Sequence, residues 1–439
     1  MILLRILLAG LILVASQNVF AALAIEIDQG RDNPKKIAVV PFGQSLNIRT
    51  DQDISGIVAF DLARSGQFAP MSEDNMLSLP DSPDKVFFRD WKILKAEYLI
   101  IGRVQQEFNG DLSVEYHLYD VVNERLLLSR RVSGTTAQIR DIAHNISDAA
   151  YQKITDIPGA FSTKMIYVLA QELGTKDSRF KLQLADTDGE RVKTLLASTE
   201  PILSASWSPD GNQVAYVSFE SGRPVIYLHN VHTNVRRKLD SYPGLNSAPV
   251  WSPDGRKLAL VLSRDGNPEI YIRNIASSTL QRVTRHHAID TEPAWTPDGN
   301  SLIFTSDRGG KPQIYQINLT NGLTDRLTFQ GDYNARARFL PDGKHLIYVH
   351  RRNGFYHIAL QDLERDRIMV LTQSDMNESP SIAPNGAMLI YATQDNGQGI
   401  LAVVSIDGKV KYRLPSALGD VREPAWSPYL KSVLSSTDL

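Results

Sequence analysis

The chain has 439 residues, 42% hydrophobic and 22% charged, a balance that excludes wholesale disorder and a polytopic membrane protein. Lys plus Arg number 47 against 49 Asp plus Glu, a formal charge of −2, so no global electrostatic feature calls for nucleic acid or an anionic membrane as partner. Cysteine is absent, which rules out thiol catalysis, Cys-ligated zinc, iron–sulfur clusters, disulfides and a Cys-linked lipid anchor.

Residues 1–21 read as a secretory signal peptide. A lone Arg5 precedes the apolar run 6–15, and the small residues Ala21, Ala22 and Ala24 place cleavage between 21 and 25. The run is shorter than the roughly 20 residues a membrane span needs. An exported, periplasmic protein is expected. Residues 22–33 follow as a flexible arm, in which Ile25 and Ile27 alternate with Glu26 and Asp28. Such a segment either adds a strand to a partner's sheet edge or serves as the first strand of the next domain.

Residues 34–160 read as a small α/β domain with a mixed sheet. A buried strand at 36–42 precedes a helix at 53–65, with Gly66 placed as its C′ residue. A strand at 97–108 turns at Asn109-Gly110 into an alternating strand from Leu112, and a third strand covers 126–132. Apolar residues at Ile139, Ile142, Ala143, Ile146 and Ala150 have helical spacing, ended by Pro158-Gly159.

The remainder is repetitive. Trp207-Ser208-Pro209-Asp210-Gly211 recurs from Trp251 and Trp295, weakens at Phe339 and Ile382, and ends as Trp426-Ser427-Pro428, at spacings of 44, 44, 44, 43 and 44. Each period holds four short strands separated by turn residues, the last being the segment that enters the next Trp. That is the pattern of a propeller blade. Counting back to Lys164 gives blades at 164–209, 211–253, 255–297, 299–341, 343–384 and 386–428, an all-β six-bladed propeller over 161–439. The repeated aromatic is expected to wedge between blades, a packing role. Residues 429–439 either pair with the first blade or form a tail.

Catalytic signals are weak. No G-x-S-x-G, H-E-x-x-H or Walker-type loop occurs. His229, His232, His286 and His287 read as strand-end and loop residues. The acids at the blade entries, Asp290, Glu292, Glu378 and Glu423, keep calcium in the channel open. No catalytic residue and no cofactor is assigned. A propeller hydrolase or lactonase with a channel metal, and a glycan-binding envelope scaffold, are the competing readings.

A leader, a small α/β domain and six W-S-P-D-G-type repeats together resemble the TolB family of periplasmic propeller proteins in the Tol–Pal systems of Gram-negative bacteria. Residues 37–42, the Phe219-Glu220-Ser221-Gly222-Arg223 hairpin, Thr291-Glu292-Pro293 and the ending 424–430 (PAWSPYL) carry the likeness. The resemblance implies a non-enzymatic role in outer-membrane integrity and in its constriction during cell division. It implies the lipoprotein Pal as partner at the channel mouth, through Leu245, Asn246, Ala248, Asp290, Thr291, Glu292, Glu378 and Glu423. Leu245 stands where the family often has His. It also implies the C-terminal domain of TolA as partner of the arm, through Leu23, Ile25, Glu26, Ile27 and Asp28. Outer-membrane proteins and imported bacteriocins are further partners it suggests, with the chain acting as a monomer.

Overall fold

The computed structural model describes residues 26–439 apart from 31, 45–51, 375 and 417. The signal peptide, its cleavage site, Leu23 and Ile25 lie outside the described residues.

In the N-terminal domain, strand Lys35–Val39 pairs in parallel with both Phe68–Pro70 and Tyr98–Gln106, while Leu112–Asp120 and Arg125–Gly134 continue the sheet antiparallel. The sheet is therefore mixed, as expected. Helices Ile54–Arg64 and Ile139–Thr155 cover one face, burying Val58, Leu62, Ile142 and Ile146 against Ile37, Ile100, Val114 and Leu118. Gly66 adopts φ +66°, the left-handed conformation that a helix C′ position favours.

The propeller has six blades of antiparallel strands, but their phase differs from the sequence reading by one strand. The segment entering each Trp is the innermost strand of the following blade. Blade 2, for example, begins with Ile202–Trp207 and continues through Gln213–Ser218 and Val225–Asn230 to Arg236–Lys238. The displaced phase leaves Lys164–Gln171, Arg179–Asp186 and Lys193–Ser198 without an inner strand. The chain supplies it from its far end: Asp420–Trp426 pairs antiparallel with Lys164–Gln171 and closes the ring.

Each Trp packs against the preceding blade, as a wedge should. Trp207 lies among Ile166 and Val168, Trp251 beside Val217, and Trp295 beside Ala259 and Ile270. The indole N–H of Trp207 donates to the Ala425 carbonyl (3.0 Å) and that of Trp295 to the Val250 carbonyl (3.2 Å), each on the neighbouring inner strand. Large apolar area thus fixes each blade to the next, with a directional bond added at Trp207 and Trp295.

Both chain ends behave differently from expectation. Instead of a free arm, Glu26–Gln29 is a strand, the fifth of blade 6, paired antiparallel with Lys411–Leu414. A blade's outermost strand leaves its N–H and C=O groups unpaired, and an extended segment from the same chain satisfies them. The exposed Asp28 carboxylate meets Arg413 at 2.7 Å. At the other end, Ser435–Asp438 neither joins the first blade nor trails as a tail. It pairs with Arg125–Gly134 and extends the N-terminal sheet.

The N-terminal domain docks on the face that carries the Pro-Asp-Gly turns, beside blades 6 and 1. Asn385 donates to the Pro158 carbonyl (2.9 Å), and Arg64 to the Thr187 hydroxyl (3.1 Å). The junction is a buried charge cluster. His144 Nδ1 lies 2.7 Å from Asp61, while its Nε2 stands 3.7 Å from both Asp186 and Asp188 of blade 1. Arg140, Lys164 and Arg191 also engage Asp186, Arg140 engages Asp188, and Arg191 engages Asp141 at 2.6 Å. Burial alone would lower the His144 pKa, but the facing carboxylates outweigh it and raise it to about 9. His144 is therefore a cation at neutral pH. Ligating atoms of Asp61, His144 and Asp188 fall within 4.8 Å of one another, yet the four surrounding Lys and Arg side chains already supply the positive charge a metal would bring.

Candidate functional site: the propeller channel

The inner strands line a channel, and the repeat places the same feature at the same depth in every blade. Ser204, Ala248, Glu292, Arg336, Ser379 and Glu423 all have φ between 47° and 56°, a left-handed conformation that costs a non-glycine residue about 1–2 kcal/mol. Each sits at a β-bulge, where the register of the inner strand against its neighbour slips. A bulge re-aims a side chain. Here it turns one residue per blade into the channel and builds a waist.

Charge closes the waist. Arg336 Nε donates to Glu292 (2.7 Å), and its NH1 donates to Ser379 and lies 3.5 Å from Glu423. Glu292 also accepts from the Arg336 backbone N–H and from Thr305. Glu423 accepts from the Ser204 backbone N–H. Burial opposes the charge on Arg336, but Glu423 and Glu292 outweigh it and hold the guanidinium well above the ordinary arginine range.

Two chambers result. On the face away from the N-terminal domain, a mouth chamber of about 310 Å³ is lined by Tyr333, Tyr356, Met376, Glu378 and Arg422, with Arg336 and Glu292 at its floor. Tyr333 and Tyr356 meet edge to face at 5.3 Å. Below the waist, a chamber of about 400 Å³ runs to the Trp-Ser-Pro turns.

The eight residues assigned to a Pal contact separate into three groups. Leu245 and Thr291 are half-buried at the starts of inner strands and Glu378 is exposed, so these three stand at the mouth. Ala248, Glu292 and Glu423 belong to the waist. Asn246 and Asp290 are buried and committed to the fold. Asn246 donates to the carbonyls of Tyr242 and Gly244, and Asp290 accepts from Arg308 at 2.7 Å. Of the arm residues, only Asp28 has a described side chain, and it faces Arg413. His229 is buried with its Nε2 2.9 Å from Asn234, and His286 stacks on His287. Arg336, Tyr333, Tyr356, Met376 and Arg422 were not anticipated. Aligning the repeats in register places Arg336 with Glu292 and Glu423, so that residue was within reach of the sequence.

An α/β domain followed by a six-bladed propeller whose channel is closed at mid-depth defines the class of protein. Two family descriptions match consecutive stretches: the TolB amino-terminal domain over residues 23–127 and the TolB β-propeller domain over residues 151–430. The chain is 57% identical to the Tol-Pal system protein TolB of Alcanivorax borkumensis over 93% of its length and 94% of the relative's. It is 56% identical to that of Pseudomonas putida over 97% and 99%. The crystal structure of TolB from Acinetobacter baumannii superposes with a TM-score of 0.86 at 42% identity, covering 93% of this chain and all of that one. The chain belongs to the TolB family, and with that membership comes a role in the Tol–Pal system.

Proposed function

We propose that the chain is a non-enzymatic periplasmic adaptor that receives the lipoprotein Pal at the channel mouth and engages TolA through its N-terminal segment, so serving outer-membrane integrity and its constriction in division. The observation that carries this reading is the mouth chamber: a rigid ring of inner-strand ends, floored by saturated ion pairs and rimmed by two tyrosines, a methionine and an exposed glutamate. Such a surface suits an inserted protein segment, since aromatic and Met side chains give contact area on a scaffold that need not rearrange. The carboxylates that could have served a channel calcium, Glu292 and Glu423, have Arg336 between them. Calcium is accordingly proposed to be unnecessary for docking.

The test is calorimetric titration of the mature chain with the soluble domain of Pal from the same organism, repeated with calcium and with EDTA. One-to-one binding unaffected by either addition is expected. Thr291→Arg and Glu378→Arg should each weaken it at least about tenfold, because a central interface change costs about 1.4 kcal/mol or more, with melting preserved. Full-affinity binding by both variants would move the site elsewhere.

The N-terminal strand supports the second half of the proposal. It is held at an exposed edge by one ladder and a partly exposed ion pair, Asp28 with Arg413, worth about 0–1 kcal/mol. A segment so held can be exchanged between its own blade and another protein's sheet. Arg413→Glu should loosen the strand and strengthen TolA binding by a few fold. Unchanged TolA affinity together with unchanged protease sensitivity of residues 26–34 would defeat this expectation.

A further inference from the structure

One layer below the waist, the inner strands present Ser206, Val250, Ala294, Arg338, Ser381 and Ala425. Five are small or apolar, and Arg338 is the charged member. Small residues at this depth leave the lower chamber its volume of about 400 Å³, and the Trp-Ser-Pro turns add proline rings to its wall. Among the described residues Arg338 makes one hydrogen bond, from NH1 to the carbonyl of Ala337 at 2.8 Å. Glu292 and Glu423 act on it through space only, their oxygens being engaged by Arg336, Thr305 and Ser204. Among the described arginines with a shifted pKa, six are raised, and Arg338 alone is lowered, by its enclosure. A guanidinium with a planar fork of free donors, set in a walled chamber, lacks an anion.

We propose that the lower chamber binds a small organic carboxylate, its head group on the Arg338 guanidinium and its apolar body against the proline and tryptophan rings. A monoanion fits better than a phosphate dianion, because the two waist glutamates stand over the chamber. This site is separate from the mouth, and the proposal stands or falls without the docking partner.

Benzoate is the probe, titrated calorimetrically into the full mature chain, with benzyl alcohol as the uncharged isostere and inorganic phosphate as the alternative anion. Four of the five tryptophans line the chamber and Trp91 does not, so indole emission should change with saturation. Benzoate is expected to bind one to one, with benzyl alcohol and the Arg338→Gln variant each at least about tenfold weaker, the loss of one charge-assisted bond. Ser206 stands three blades from Arg338, hence across the channel, and Ser206→Leu should exclude the ligand while leaving the guanidinium in place. This second variant keeps the test decisive if Arg338→Gln folds poorly. No benzoate binding at millimolar concentration, equal binding by wild type and both variants, or phosphate binding in place of benzoate would each overturn the proposal.

Discussion

Raising the pH from 7 to 9.5 is expected to cost the domain junction about 2–3 kcal/mol, with most of the loss centred on His144. The folded pKa of His144 is about 9 against an ordinary value of 6.5. A cation whose folded pKa is raised contributes stability that is fully present below about 6.5 and disappears as pH climbs through about 9. Each pKa unit is worth about 1.4 kcal/mol, so the full contribution is about 3 kcal/mol. The window is clean on its acid side. Asp148, pushed up to about 6 by burial, is mostly ionised by pH 7, and His117, His229 and His350 are shifted downward by burial. His144→Gln removes the proton and leaves Asp61, Asp186 and Asp188 facing an uncharged amide. At pH 7 it should lose about 3 kcal/mol, the contribution of the buried His144 cation, while Arg64, Arg140, Lys164 and Arg191 still pair the acids. Scanning calorimetry at pH 7 and 9.5 on both proteins gives the check. The wild-type transition should fall with pH and that of the variant should stay nearly level. Parallel slopes would show that another group carries the pH dependence.

The second large effect is expected at the waist. Glu292→Arg replaces the acceptor of the Arg336 guanidinium, the Arg336 backbone N–H and the Thr305 hydroxyl with a like charge. Both side chains remain partly open to the channel, which tempers the repulsion, so a destabilisation of about 2–3 kcal/mol is expected. Glu292→Gln keeps an acceptor and loses only the charge; about 1 kcal/mol is expected there. The propeller's melting transition should fall in that order. A Glu292→Arg protein as stable as wild type would mean that Arg336 is carried by Glu423 alone. Loss of Pal binding in Glu292→Arg is weaker evidence for a contact than the same loss in Thr291→Arg, which leaves the waist ion pairs intact.

The repeat made the six blades legible, because a turn as distinctive as Trp-Ser-Pro-Asp-Gly marks every period. The same distinctiveness concealed the phase. The turn looks like a blade's end, whereas it joins the first strand of a blade to its second. Closure by Asp420–Trp426 has no local signature, since its partner Lys164–Gln171 lies some 250 residues earlier. The alternating Ile-Glu-Ile-Asp of the N-terminal segment likewise announces a strand without naming its edge. At the channel, the acids at the blade entries look alike in sequence, and burial separates them. Asp290 and Asn246 brace loops, and Glu292 and Glu423 are spent on Arg336. The lining tyrosines and Met376 reach the mouth from loops and outer strands, where no periodicity predicts them.

Closing the first blade with the last inner strand also sets an order of assembly. Lys164–Gln171 and Asp420–Trp426 stand about 250 residues apart in the chain, so the first blade stays incomplete until the far end of the propeller reaches it. Until then the ring is an open arc. The strand Lys164–Gln171 shows a bare edge at one end of it, and the newest blade shows an unpacked apolar flank at the other. Blades can form one after another, yet the channel, its waist and the mouth come into existence together, and only when Asp420–Trp426 is in place.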